Sequence, residues 1–440
     1  MAQIKAFPVV RYGRDLADEL DKLITPPYDV ISPEEQQAFY KSHPFNIIRL
    51  VLGNQFAEDD QQNNKHTRAA STLHEWMNQG VLARHDKPAL AIYQMDFEQP
   101  GGGTKRLDGI VAVVKVDDYG RGKVLPHEKT YLGPKKDQLQ LLRACKANFT
   151  PIHSLFHDDQ ETIYRIYSPY MANKPDQVTL DSNRNTHRTW LIDDEDTIKS
   201  IVEAFLPKSL FIADGHHRYE TALAYKKEHE DSGSYSPDAP YNYVMMYLTA
   251  MSHPGLTILP AHRMVKGLPR LEIPKILSGL APFFEIREIP FSQDNLSADM
   301  DNFIRSIGDH SEIGGCFGMV CHGDNCFRLL VLKDFNSVSR MIDDSIPAAL
   351  KRLDVTILRE VIMNVGLGID KGNSEGKIEY TPIISEAIEK ALRGDVQVSF
   401  ILNPTRVDQM REAAEKGYKM PQKSTYFYPK LSSGLVLNIF

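Results

Sequence analysis

Asp214-Gly215-His216-His217-Arg218 concentrates more reactive groups than any other stretch of the 440-residue chain. It lies between an apolar run, Ser209 to Ala213, and a helical pattern, Tyr219 to His229, in which Ala222, Leu223 and Tyr225 are free to pack. A strand, a glycine turn and a helix start together present outward-pointing amides, and such a turn holds anions. Gly215 allows the sharp turn and lets a ligand approach the backbone. The Arg218 fork matches phosphate oxygens. His216 and His217 can each donate a hydrogen bond or shuttle a proton. Asp214 could orient a histidine or hold a hydrated Mg²⁺. The plainer alternative is that Asp214 caps the helix and the histidines are solvated. A two-histidine metal site is the weaker reading, because adjacent helical residues diverge by about 100°.

Other stretches carry less. In His127-Glu128-Lys129-Thr130, the Glu beside His and Lys could act as general base toward a hydroxyl, or the four residues form a charged loop. Pro26-Pro27-Tyr28-Asp29 reads first as a rigid turn before a helix. Arg49, on an otherwise apolar run, suggests an acidic or phosphate partner. The stretch from Lys423 to Lys430 mixes lysines with aromatic rings, which could cradle a base or phosphate or form a tucked-in terminal strand. Cys316, Cys321 and Cys326 lie near His322, but four residues separate neighbouring cysteines, unlike a zinc knuckle, so apolar strand cysteines are expected.

These groups need a scaffold, and the composition supplies one. With 42% hydrophobic and 25% charged residues, the chain has the make-up of a folded globular protein. Its net charge of -7 weighs against an extended nucleic-acid surface. The start of the sequence has no apolar signal segment, and no apolar stretch is long enough for a membrane helix, so a cytoplasmic location is expected. Strands are expected at Asn46 to Gly53, Ala89 to Glu98, Leu107 to Val116, Thr186 to Ile192, Tyr243 to Met251, Phe284 to Ile289, the cysteine hairpin and Gln397 to Leu402. Helices are expected after Ser32-Pro33 and at Thr67 to Gln79, Lys136 to Lys146, Asp196 to Phe205, Glu272 to Leu280, Ser297 to Ile307, Val355 to Val365, Ser385 to Leu392 and Val407 to Glu415. The mixture predicts an α/β (α+β) fold with mixed sheets and helices, in regions 1–85, 86–264 and 265–440.

Several blocks resemble those of the prokaryotic domain-of-unknown-function family 1015, over essentially the whole chain. They are Pro26 to Ile31, His127 to Thr130, Ile212 to Ala222, Pro254 to Pro260 and Met420 to Lys430. The family implies no settled activity. More distantly, Asp214-Gly215-His216-His217-Arg218 resembles the signature of ParB/sulfiredoxin-like free-serine kinases, which implies a ParB/sulfiredoxin-like core within 86–264. In such proteins a Gly-and-Arg turn holds nucleotide phosphates, and the Asp and His of the motif serve phosphoryl transfer. The resemblance implies catalytic roles for Asp214, His216 and His217, with Glu128 as base and Asp29 or Glu220 as alternatives. Gly215, Arg218, His127, Lys129, Thr130 and Lys423 form the candidate nucleotide- and phosphate-binding set, and Asp214 the candidate metal ligand. ATP or ADP with Mg²⁺ are the implied cofactors. The expected partners are a nucleotide and a small-molecule substrate, with no membrane and no nucleic acid; a homo-oligomer is compatible with the sequence.

The leading function is thus a nucleotide-dependent small-molecule kinase acting on a free hydroxyl such as that of L-serine. The alternative is a non-catalytic ParB-like nucleotide-binding regulator, linked to DNA. A sulfiredoxin-like redox enzyme would need a cysteine in the turn, where His216 and His217 stand.

Overall fold

In the computed structural model the described residues are 2–119, 122–128, 132–233, 235–312, 314–370, 372–374 and 376–440, with only the backbone described for 132–135. The fold is mixed α/β. Contacts divide it into two units: Met1–Pro126 with Thr130–Leu256 and Pro429–Phe440, and His127–Lys129 with Thr257–Tyr428.

The first unit is built on a nine-stranded sheet. Across it run Val124–Leu125, Leu210–Asp214, Ile152–Phe156, Tyr243–Ala250, Thr104–Lys115, Leu90–Glu98, Thr186–Ile192 and Gln177–Leu180, with Ile4–Lys5 added beside Thr104–Lys115. Most pairs are antiparallel. Leu210–Asp214 runs parallel to Val124–Leu125, and Tyr243–Ala250 parallel to Ile152–Phe156. Period-two alternation gives the sheet two distinct faces. One face carries Ile92, Ile110, Ile152, Ile212 and Met246, which form a continuous apolar core with Tyr219 and Ala222 of the helix His216–Asp231.

The other face is different. It carries a row of buried polar and aromatic side chains, His187, Tyr93, Tyr247 and His153, one from each of four strands. The Tyr93 hydroxyl lies 2.8 Å from His187 Nδ1. The Tyr93 and Tyr247 rings are 5.5 Å apart, and those of Tyr247 and His153 5.2 Å. Gly109 makes room for the row, since a Cβ there would sit 2.9 Å from the Tyr247 ring. The chain's last segment runs along this region. The Ser432 amide donates to the Tyr93 hydroxyl at 3.4 Å, and the Thr150 and Ser433 hydroxyls are 2.6 Å apart. The segment ends in the strand Leu437–Ile439, part of a separate four-stranded sheet.

The second unit contains an antiparallel six-stranded sheet: Phe284–Pro290, Cys326–Leu332, Cys316–Cys321, Val398–Leu402, His262–Val265 and Ile378–Thr381. Here the cysteine hairpin is as expected. Its thiols are free and buried, and burial pushes those of Cys316 and Cys321 up to about 12 and that of Cys326 up to about 11. Such thiols are poor metal ligands.

One local expectation needs correction, and two further features go beyond what the sequence suggests. The run Asn46 to Gly53 is not a strand; Ile48–Val51 is a short helix. Ile47, Ile48 and Leu50 are all fully buried, so hydrophobicity there has no period to read, and the Asn46 side chain accepts from the Ile48 amide at 2.8 Å to close the turn. Val355 to Val365 is helical, but from Leu358 to Gly366 it takes the wider π form. The strand Ile152–Phe156 was not anticipated, because His153 and Ser154 interrupt its apolar run. Among the described residues no helix is long and apolar enough to cross a membrane.

Candidate functional site

The motif folds as its residue types require. Strand Leu210–Asp214 meets helix His216–Asp231 at Gly215, which takes φ 97° as the helix N-cap. The helical ladder begins with the Tyr219 amide on the Gly215 carbonyl, so the amides of the first turn face away from it. Asp214 does not cap this helix; the N-cap position makes no side-chain cap.

Its carboxylate is instead turned by a slip in strand pairing. Ile212 lies opposite Ser154, whereas Asp214 lies opposite His153. The extra residue is a bulge, and it moves Asp214 to the sheet face of the polar row. There Lys430 Nζ donates to Asp214 Oδ1, and Arg218 donates to Oδ2 at 2.8 Å. Arg218 is further anchored by the carbonyls of Pro151 at 2.6 Å and Thr150 at 3.3 Å. Its guanidinium folds over Gly215, where a Cβ would stand 2.9 Å from the guanidinium carbon. Gly215 is therefore required twice, by its backbone angle and by the guanidinium above it.

Burial alone would raise the Asp214 carboxyl, but Lys430 and Arg218 override it and hold the group well below the usual carboxylate range. Burial pushes His153 down to about 3; Asp214 opposes the shift, while Lys430 and Arg218 add to it. At neutral pH one carboxylate thus holds two cations, with a neutral imidazole opposite it. Tyr28 joins it from the Pro26 to Asp29 turn. Its hydroxyl is pushed up to about 12 by burial and Asp29, with Arg218 opposing. His216 is buried and His217 half-buried.

The second candidate, His127 and Glu128, belongs to the other unit. There the C-terminal block meets it. The Met420 amide donates to the His127 carbonyl at 2.7 Å. His127 Nε2 lies 3.0 Å from the Thr425 hydroxyl, and Glu128 Oε1 accepts from the Ser424 amide at 3.3 Å and the Thr425 hydroxyl at 3.4 Å. Buried Arg263 donates to the Lys423 carbonyl at 3.1 Å, and its charge is felt at Glu128. Lys423 itself is exposed, at φ 57°. Lys129 and Thr130 lie outside the described residues.

Sequence reasoning did not single out Lys430 or His153. Lys430 stands at the end of the lysine-aromatic block, but its partner is 216 residues away. Arg49 has a local role: it donates to the Tyr40 carbonyl at 3.0 Å and lies over the Tyr40 ring. The donors around Asp214 do not suit a resident Mg²⁺. Both carboxylate oxygens hold cations, and no group of three His, Cys, Asp or Glu suited to a metal occurs among the described residues.

Comparison with solved structures returns distant likenesses. A free serine kinase in complex with AMP is 14% identical with TM-score 0.32, covering 71% of this chain and 88% of its own. SbnI with a C-terminal truncation, from Staphylococcus aureus, is 11% identical with TM-score 0.34, covering 75% and 82%. A conserved hypothetical protein from Pyrococcus furiosus is 12% identical with TM-score 0.31, covering 70% and 90%. Likenesses this weak describe those proteins and carry no activity over to this one. No curated protein matches the chain in sequence. Family comparison gives a firmer result: residues 4–356, which include the motif and the Pro26, His127 and Pro254 blocks but not the Met420 block, match the family described as Protein of unknown function (DUF1015), and the chain belongs to that family.

Proposed function

We propose that the chain is a nucleotide-dependent phosphotransferase that phosphorylates the free hydroxyl of a small molecule such as L-serine. One observation carries this reading: a single carboxylate, Asp214, holds both Arg218 and Lys430 at the Gly215 turn where the helix begins. Phosphoryl transfer needs positioning and charge neutralisation more than covalent chemistry, and fixed cations with oriented amides supply both. In this scheme Gly215, Arg218 and Lys430 cradle the nucleotide phosphates and Asp214 fixes the two cations. His216 and His217 donate to the transferring group. Mg²⁺ enters with ATP or ADP as the nucleotide's own counterion. Glu128 takes the base role that the family resemblance implies, and His127, Lys129, Thr130 and Lys423 remain candidate phosphate contacts on the same ground.

The test is direct. The protein is incubated with ATP or ADP, Mg²⁺ and a panel of hydroxyl amino acids, and phosphorylated product is measured. Product that disappears in His216→Ala and in Glu128→Ala supports the proposal; wild-type protein that makes none contradicts it. A second reading, nucleotide binding without catalysis, is favoured by one feature: both Asp214 oxygens are already engaged by cations, so the motif's carboxylate is not available as a base. Tight nucleotide binding with no turnover, together with salt-sensitive DNA binding, would select that reading.

A further inference from the structure

Beside the motif, within the same unit, a small cleft opens between the helix His216–Asp231, the helix Leu132–Cys145 and the sheet. Its lining is mixed: apolar side chains such as Leu142, Ile152 and Val244 stand with the polar groups of Tyr28, Arg218 and Thr221. Arg218 and Thr221 are three residues apart on one helix, which puts them on the same side. The cleft volume is about 50 Å³ for a water-sized sphere, enough for a ligand of a few heavy atoms and far too little for a nucleotide.

Thr221 is the telling residue. It is 3% exposed, and among the described residues its hydroxyl meets no hydrogen-bond partner. A helical threonine ordinarily satisfies itself on a carbonyl one turn back, and a buried polar group left unmatched costs stability. The charges point the same way. Arg218 uses three of its five N–H donors on Asp214, Pro151 and Thr150. Of the nearby acids, Asp137 is paired with Lys65 at 2.6 Å and His66 at 3.0 Å, and Asp29 is exposed.

We propose that this cleft binds a short carboxylic acid bearing one further hydroxyl or amino group. The carboxylate meets Arg218 and the Tyr28 hydroxyl, the short carbon body lies on Leu142, Ile152 and Val244, and the second polar group pairs with Thr221. A site that hydrogen-bonds a ligand hydroxyl discriminates strongly against analogues lacking it, because the buried partner is then left unmatched. That this acid is the phosphoryl acceptor rests on the phosphotransferase reading; that it binds does not.

The experiment is a calorimetric titration of the full chain, without nucleotide, with L-serine, D-glycerate, propionate and ethanolamine. L-serine or D-glycerate should bind, propionate about tenfold more weakly, and ethanolamine not measurably. Thr221→Val, which keeps the side-chain shape, should weaken the hydroxy acid about tenfold and leave propionate unchanged, with no loss of melting temperature. Failure of all the acids to bind, or equal effects of Thr221→Val on propionate and the hydroxy acid, overturns the inference. Acid binding without phosphoryl transfer leaves it standing and removes only the phosphotransferase reading. Transfer whose acceptor KM is unmoved by Thr221→Val sinks the inference and spares that reading.

Discussion

Asp214 and Glu128 have the same side-chain exposure, 19%, so burial is not what separates the two candidate centres. Their partners do. Asp214 is gripped by two cations and sits opposite a neutral imidazole. Glu128 accepts hydrogen bonds from a backbone amide and a hydroxyl, with the Arg263 charge nearby. Neutral donors are exchanged for a substrate hydroxyl at little cost, whereas releasing Asp214 means breaking two poorly solvated ion pairs. The comparison teaches that the carboxylate inside the conspicuous motif is fixed by two direct cation contacts, whereas the less conspicuous one accepts hydrogen bonds from an amide and a hydroxyl.

The largest expected effect breaks the first centre. Asp214→Asn removes the carboxylate shared by Lys430 and Arg218, whose side chains are only 15% and 12% exposed, and should cost about 3–5 kcal/mol in chemical denaturation. Adding Lys430→Met should recover part of that loss; a double variant as unstable as the sum of the singles would contradict the ion-pair account.

Acid comes next, and here the two units are expected to behave alike. Burial depresses His153 in the first unit and His262 in the second, each to about 3, against about 6.5 when unfolded. Between these values only the unfolded chain takes up the proton. The stabilisation is therefore complete above pH 6.5 and is lost as pH falls toward 3, by up to about 1.4 kcal/mol per pH unit for each histidine. His153→Gln should remove about half of the slope owed to the pair and change nothing above pH 7.5. Asp214 contributes at lower pH, losing its stabilisation only as pH falls below the ordinary carboxylate value of about 3.9 and on through its own depressed value.

Gly215→Ala sharpens the geometry. A side chain at φ 97° is strained, and its Cβ would press on the Arg218 guanidinium, so we expect a loss of about 1–2 kcal/mol by thermal melting together with weaker nucleotide binding. The smallest effect belongs to the second centre. Glu128→Gln keeps an acceptor for Ser424 and Thr425 and should cost under about 1 kcal/mol, while abolishing product formation if Glu128 is the base.

What could be read in the sequence follows from the range of the interactions involved. The strand, glycine turn and helix around Gly215 are local, and so is the hairpin of Leu90–Glu98 with Thr104–Lys115; both follow from periodicity and turn residues. The bulge that turns Asp214 toward His153 depends on pairing with a strand whose own pattern is broken by His153 and Ser154. Lys423 and Lys430 look alike in sequence. Only the return of the last segment to the first unit separates an exposed lysine from the one that binds Asp214. Thr221 resembles any helical threonine until the cleft beside it is seen.

The central claim is that the turn after Asp214 receives phosphate, and a crystal structure with bound ADP tests it most directly. The account predicts terminal phosphate oxygens on the amides that follow Gly215, within reach of Arg218 and Lys430. A nucleotide bound elsewhere, with those amides covered by protein, would contradict it.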